Sequence, residues 1–177
     1  MRALLLLLLA SLLAACASLA PAPPEQPTLR LSPASLGGEL ALQQRMTVQA
    51  MGRSQQMDVA IEVDAEAVRM AVLAFGQTVA RLDWDGRTLQ QSRAPGWPAS
   101  VTGERVLSDL QLVHWPLSAI ATALPPGWSV RQEGTERVLR HHDSPVVRVR
   151  YPGSGTTEID NLAAGYSIRL ESWRAVP

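Results

Sequence analysis

The run Leu40-Ala41-Leu42-Gln43-Gln44-Arg45-Met46-Thr47-Val48-Gln49-Ala50 decides the fold. Leu40, Leu42, Met46, Val48 and Ala50 fall on one face, and Gln43, Arg45, Thr47 and Gln49 on the other. A period of two is the signature of a strand with one apolar and one wet face. The pattern then repeats along the chain. Gly52-Arg53-Ser54 is expected to turn it. Met57, Val59, Ile61 and Val63 alternate with Asp58, Glu62 and Asp64. After a turn near Asp64-Ala65-Glu66 come Val68, Met70, Val72 and Ala74. Gly76-Gln77 interrupts, and Ala80, Leu82 and Trp84 follow. Asp85-Gly86 is a strong two-residue hairpin signal. Arg87 to Ser92 returns as a more polar strand suited to an edge. These are sequential antiparallel strands, a meander.

Beyond the loop Ala94-Pro95-Gly96-Trp97-Pro98 the period changes. Thr102 can cap a helix, with Glu104 in the first turn where the helix dipole favours a carboxylate. Val106, Leu107, Leu110 and Val113 recur at helical spacing. Trp115-Pro116 ends that helix, because the residue before proline is pushed out of the α region. Leu117, Ile120, Ala121 and Leu124 predict a second, short helix, closed by Pro125-Pro126-Gly127. Strands resume at Trp128, at Arg137 to His141, at Val147 to Tyr151, at Ile159 to Leu162 and at Tyr166 to Glu171. A sheet with one apolar face needs a cover, and the two central helices are the candidates. The expected class is α+β: a single curved antiparallel sheet, an unclosed barrel, with two central helices covering the concave face.

Working back toward the N-terminus, Pro21, Pro23, Pro24 and Pro27 mark an extended, semi-rigid tether. Before it, Arg2 precedes an apolar run from about Ala3 to Leu13. That run is too short for a bilayer core, which takes about 20 apolar residues, and suits a secretory signal. It closes on Leu13-Ala14-Ala15-Cys16, and Cys16 is the one cysteine of the chain. Small residues before a lone cysteine resemble the lipobox of bacterial lipoproteins. The resemblance implies cleavage before Cys16 and acylation of its sulfur. Residues 1–15 are then the signal peptide, 16–28 the lipidated tether and 29–177 a single domain. Two acyl chains anchor stably where one binds only marginally. Ala17 is not the aspartate that retains such proteins in the inner membrane, so the resemblance implies the periplasmic face of the outer membrane.

Removing 15 of the 177 residues leaves 162, enough for one ordinary core. The 16 basic and 16 acidic residues balance, so neither nucleic acid nor an acidic surface is an evident partner. Every basic residue is arginine. A monomer is expected.

The order of meander, two helices and further strands resembles the LolA/LolB fold, an unclosed barrel whose helices plug an apolar cavity for acyl chains. Leu110-Gln111-Leu112-Val113-His114-Trp115-Pro116-Leu117, Leu124-Pro125 followed by a tryptophan, and Asn161 with Gly165-Tyr166 resemble uncharacterised bacterial lipoproteins associated with aryl-polyene biosynthesis clusters. LolB projects an apolar residue from a hairpin loop. No loop here shows a clear equivalent: Met51 sits at the edge of Gly52-Arg53-Ser54, and that loop is polar.

Little in the chain suggests catalysis or a cofactor. His141-His142-Asp143 is the densest polar cluster, but adjacent strand residues point to opposite faces, and a structural zinc wants four ligands. Ser108, Asp109 and His114 lie on different faces of one helix, and no nucleophile elbow occurs. Asp83 and Asp85 suit the approach to a hairpin. No enzyme activity, cofactor or metal is therefore expected.

Met46, Met57 and Met70 lie on the apolar faces of three successive strands, and methionine adapts to irregular apolar partners. With Val48, Val59, Ile61, Val72 and Trp84 they form the expected ligand-binding face. Phe75, the single phenylalanine, leaves the interior to flexible and aliphatic chains. The favoured function is binding or transfer of a hydrophobic molecule, an acyl-chain or aryl-polyene lipid, in an apolar cavity between sheet and helices. A non-catalytic scaffold of an envelope assembly is the alternative, and predicts a filled core with an exposed apolar patch. A hydrolase or transferase would need a cleft joining a histidine to a carboxylate.

Overall fold

The structure, a computed structural model, describes residues 24–174. Ten strands form one antiparallel sheet. They are β1 (Leu40–Ala50), β2 (Arg53–Val63), β3 (Val68–Ala74), β4 (Gln77–Trp84), β5 (Leu89–Arg93), β6 (Trp128–Glu133), β7 (Glu136–His141), β8 (Ser144–Gly153), β9 (Thr156–Asn161) and β10 (Tyr166–Arg174). Between β5 and β6 lie two helices, α1 (Gly103–His114) and α2 (Leu117–Ala123). The spatial order is β5-β4-β3-β2-β1-β10-β9-β8-β7-β6. Two five-stranded meanders thus join through β1 and β10, the first strand and the last. The edge strands β5 and β6 do not pair, so the barrel stays open and the helices carry the chain from one edge to the other.

The alternation of β1 is realised across the sheet. Direct partners share a face, so Met46 lies opposite Met57 and Leu170, and Val48 opposite Ile168. Likewise Ile61 opposes Met70, and Val68 opposes Trp84. Gln44 sits on this inward face too. It is buried, and its side-chain amide donates to Ser172 Oγ at 2.7 Å.

Helix α1 begins as its sequence dictates: Thr102 Oγ1 accepts from Arg105 N at 3.2 Å. Its buried residues Leu107, Leu110, Leu112 and Val113 join Val59, Ile61, Val63, Val68, Leu82 and Trp84 of the sheet in one core. Burying each such side chain stabilises the fold by about 1.5–3 kcal/mol. At its far end Arg137 Nη1 donates to the carbonyls of Leu112 (2.6 Å), Val113 (3.2 Å) and Trp115 (2.9 Å), and Tyr151 Oη donates to Val113 O at 2.8 Å. A cation on carbonyls that the helix leaves unpaired is favourable twice, through hydrogen bonds and through the dipole.

The helices do not cover the sheet alone. Residues 26–36 run beside α1 as a strap. Leu29 N donates to Ser108 Oγ at 2.9 Å, Leu31 N to Gln111 Oε1 at 3.0 Å, and Gln111 Nε2 returns a bond to Leu31 O at 2.9 Å. Trp84 Nε1 also donates to Leu31 O, at 2.8 Å. Leu29 and Leu31 are buried. A 3-10 turn at Pro33–Leu36 ends the strap, with Trp115 Nε1 donating to Ser32 O and Ser35 Oγ at 3.2 and 3.0 Å.

Strand direction alternates, so the connections fall at two ends. One end, called here the Met51 end, carries Met51-Gly52, Phe75-Gly76, the loop after β5, Gly127, His142-Asp143 and Leu162–Gly165. The other, the Asp85 end, carries Asp64–Ala67, Asp85–Thr88, Gly134-Thr135, Ser154-Gly155 and the α1–α2 corner. Two hairpins turn one residue earlier than the sequence suggests. Arg53 already pairs with Ala50, and Gln77 with Ala74. The central residues are therefore Met51-Gly52 and Phe75-Gly76, all four at positive φ between 50° and 75°. That is the type I′ geometry whose twist matches the flanking strands.

Candidate functional site

The inward face divides into a sealed part and a half-open part. Val59, Ile61, Val72 and Trp84 are buried under α1 and the strap as core residues. Met46, Val48, Met57 and Met70 are only half-buried. Ala50, Val48 and Met46 succeed one another along β1 on one face, flanked by Tyr166, Ile168 and Leu170 of β10. At the Met51 end Ala50, the last residue of this strip, borders a wide, mostly open groove of about 680 Å³. The groove lies between the β1–β2 tip and the β9–β10 turn. Met51, Ala50 and Leu162 supply apolar wall, and Arg53, Asp160, Asn161 and Tyr166 supply polar groups. A void of about 20 Å³ beside Met70, Leu82, Trp97 and Val106 has room for about one water. Leu29 and Leu31 contribute to the packing between α1 and the sheet.

Behind the groove lies a buried polar network. Tyr166 Oη donates to Asp109 Oδ2 at 2.6 Å, and Gln26 Nε2 donates to Asp109 Oδ1 at 3.1 Å. Asn161 Nδ2 donates to Gln26 Oε1 at 2.8 Å and to Tyr166 Oη at 3.2 Å, while its Oδ1 accepts from Ala164 N at 2.8 Å. Burial pushes the Asp109 carboxyl above its ordinary range, against the pull of the Tyr166 hydroxyl, the Gln26 amide and the Arg105 guanidinium. Burial, then the neighbouring carboxylate, raises the Tyr166 phenol. The network ties the strap, α1, β9 and β10 together at the groove floor. Asn161 and Tyr166 are the two members that also line the groove.

Other polar candidates stay apart. Ser108 donates to Glu104 O and accepts from Leu29 N, so it makes no triad with Asp109 and His114. Asp85 accepts from the backbone of Arg87 and Thr88, while Asp83 is exposed. His141 ends β7 and His142 sits in the turn at φ 51°, so their rings do approach, at 4.3 Å between centroids, with Trp128 against His141. Among the described residues no group of three His, Cys, Asp or Glu side chains is placed to hold a metal.

His114, at the α1 end, carries a buried Nε2 without a partner. Burial, then the Arg137 charge, lowers its pKa from 6.5 to about 4. The folded value lies below the unfolded one. The stability it reports is thus full above 6.5 and is lost as pH falls toward 4. In urea titrations across that interval, His114→Phe should lose less stability than the wild type. Equal acid sensitivity in both would remove His114 as the responsible group.

Gln26 belongs to the stretch read as tether, yet its side chain is buried. Phe75, the single phenylalanine, does not join the interior. The structure places it at the β3–β4 tip, fully exposed, because that hairpin turns on Phe75-Gly76. Met51 is likewise a tip residue rather than the edge of a polar loop, which overturns the expectation that no hairpin loop projects an apolar residue. Two apolar–glycine pairs at corresponding turns were the signal available for both. The Asp109–Tyr166 contact had none, since 57 positions separate the partners. Cys16, the signal segment 1–15 and residues 16–23 of the tether lie outside the described residues. Among the described residues no helix is long and apolar enough to cross a membrane.

A family model described as a protein of unknown function (DUF3261) matches residues 41–174, from β1 through β10. No curated protein matches the chain.

Proposed function

The chain belongs to the DUF3261 family of proteins of unknown function, and we propose from its own geometry that it binds or transfers an amphiphilic hydrophobic molecule at the outer membrane. In this reading it is a non-catalytic lipoprotein of LolA/LolB-like fold, held at the periplasmic face through Cys16. The ligand is an acyl-chain or aryl-polyene lipid. One observation carries the reading: an open groove at the Met51 end, with apolar Met51 and Leu162 and polar Arg53 and Tyr166 in its wall, borders Ala50, the last residue of the half-buried strip Ala50, Val48 and Met46. A polar end would meet Arg53 or the half-buried Tyr166, and an apolar chain would lie along the strip. Methionine suits such a lining, being flexible and polarizable. Val59, Ile61, Val72 and Trp84 then support the strip from beneath α1 rather than touch the ligand.

The burial of Val59, Ile61, Val72 and Trp84 in one core under α1, with Met51 and Phe75 left exposed, favours the alternative, a scaffold or partner protein of an envelope assembly. The two readings separate on cargo. The full chain, purified from cells that make the candidate envelope lipid, should carry that lipid in native mass spectra. Val48→Glu, at a half-buried position, should keep the fold and lose at least about tenfold in occupancy, since a charge on the strip opposes apolar burial. A clean apo mass in lipid-rich cells would reject the carrier and favour the scaffold.

A further inference from the structure

The two ends of the sheet differ in kind. The hairpin turns at the Asp85 end carry Asp64, Glu66, Asp85, Arg87 and Ser154, and none of them places a large apolar side chain at its tip. Two turns at the Met51 end place a large apolar side chain at the tip. Met51 is 91% exposed and Phe75 fully exposed, with Leu162 about half exposed in the neighbouring turn. Neither tip segment, 49–55 or 73–78, contains an acidic residue, and Arg53 stands beside Met51.

Each tip carries a second cost. Met51 has φ 50° and Phe75 φ 51°, the left-handed region that asparagine or glycine occupies more easily. A bulky apolar residue there gains no burial within the protein and suffers the backbone strain as well. Strain at such positions points to a role outside the fold. The same disfavoured choice occurs twice, at one end of one sheet.

The chain's own course says what lies beyond that end. The strap reaches Gln26 beside Asn161 and Tyr166, at the Met51 end, and runs from there toward Pro33 beside Gly86 at the Asp85 end. The described chain therefore begins at the Met51 end. Cys16 stands eight residues before Pro24, a reach of at most about 29 Å when fully extended. A bilayer holding Cys16 would lie within that distance of Pro24, two residues from Gln26 at the Met51 end.

We propose that the Met51 end is a membrane-docking rim, with Met51 and Phe75 entering the interfacial layer of a lipid bilayer and Arg53 meeting anionic headgroups. This rests on the anchoring of Cys16 included in the functional reading above, but not on a lipid cargo. The rim faces the strip's groove toward the same bilayer, so a molecule could pass between them without crossing water.

The full chain, purified in mild detergent, would be reconstituted into vesicles of phosphatidylethanolamine and phosphatidylglycerol containing a doxyl-labelled lipid. A fluorescent amino acid would be placed at position 51, at position 75 or, as control, at position 154. The expected result is blue-shifted, lipid-quenched emission at 51 and 75, and solvent-like, unquenched emission at 154. Solvent-like emission at 51 and 75 overturns the proposal, whether or not the vesicles retain the protein. A blue shift there that appears only with an added protein, without lipid quenching, overturns it in favour of a protein partner. The intact mass at Cys16 is read separately. Acylation with unquenched tips rejects the rim and keeps the anchor, whereas an unmodified cysteine with quenched tips keeps the rim and rejects the anchor. Met51→Asn with Phe75→Asn should melt at an equal or higher temperature than the parent, because asparagine tolerates the left-handed region. In the Cys16→Ser background the pair should weaken flotation with vesicles by about tenfold or more. A lowered melting temperature with unchanged flotation would assign the tips to the fold and overturn the rim.

Discussion

Trp115→Ala should lower the unfolding free energy by about 3–5 kcal/mol, the range for emptying a buried tryptophan site. Trp115 is wholly buried at the corner between α1 and α2. Its ring fills the core, and its Nε1 donates to Ser32 O and Ser35 Oγ, fastening the end of the strap. Alanine leaves a cavity and frees the 3-10 turn together. Trp115→Phe keeps most of the ring volume and loses the donor, so it should cost about 1–2 kcal/mol, near the worth of the hydrogen bonds. Urea unfolding of the three proteins checks the order. Limited proteolysis should cut residues 26–36 faster in the alanine variant. A loss below about 1 kcal/mol would mean that the corner is not packed this way in solution.

Asp109→Ala is the second large effect, at about 2–4 kcal/mol. It strands the Tyr166 hydroxyl and the Gln26 amide, and each buried unpaired group costs about 1–3 kcal/mol. Asp109→Asn retains an acceptor in the same place and should lose far less near neutral pH. The sign with pH follows from burial. The folded pKa of Asp109 stands above its unfolded value of 3.8, so the folded chain holds the proton more tightly. This contribution is full below the unfolded value and is lost as pH rises through the folded one. It opposes the His114 trend, and Asp109→Asn should abolish it. Unfolding midpoints of wild type, Asn and Ala across the acid range test this, with Tyr166→Phe closing a double-mutant cycle. An asparagine variant as damaged as the alanine one would show that the charge itself, through Arg105, holds the network.

Much of the fold could be read because strand alternation is local. The faces of β1 to β4 are written in Leu40 to Trp84, and the polar run near Gln90 does form an edge. The helices were equally plain, from Thr102 and from Trp115-Pro116. The pairing of β1 with β10 was not, because 42↔174 is a contact that no local pattern encodes. The strap escaped for a related reason. Pro27 suggests an extended segment, and the strap is extended, but only α1's Ser108 and Gln111 give its backbone partners. The candidate site splits the same way. The methionines of successive strands were visible as a face, while α1's course decides which remain half-covered. The tip residues were missed by one position of register, which moved Met51 and Phe75 from strand edge to turn centre.

The join between β1 and β10 also sets the order of assembly and its hazard. Each meander can zip from neighbours close in sequence, but the seam must wait for the last strand to emerge. Loss of β10 would therefore not fray a margin. It would part the sheet along its midline and bare the flanks of β1 and β9, where Arg45, Glu158 and Asp160 are the charges left to guard the new edges. Quality control acting on a truncated chain would meet two sticky half-sheets rather than one shortened protein.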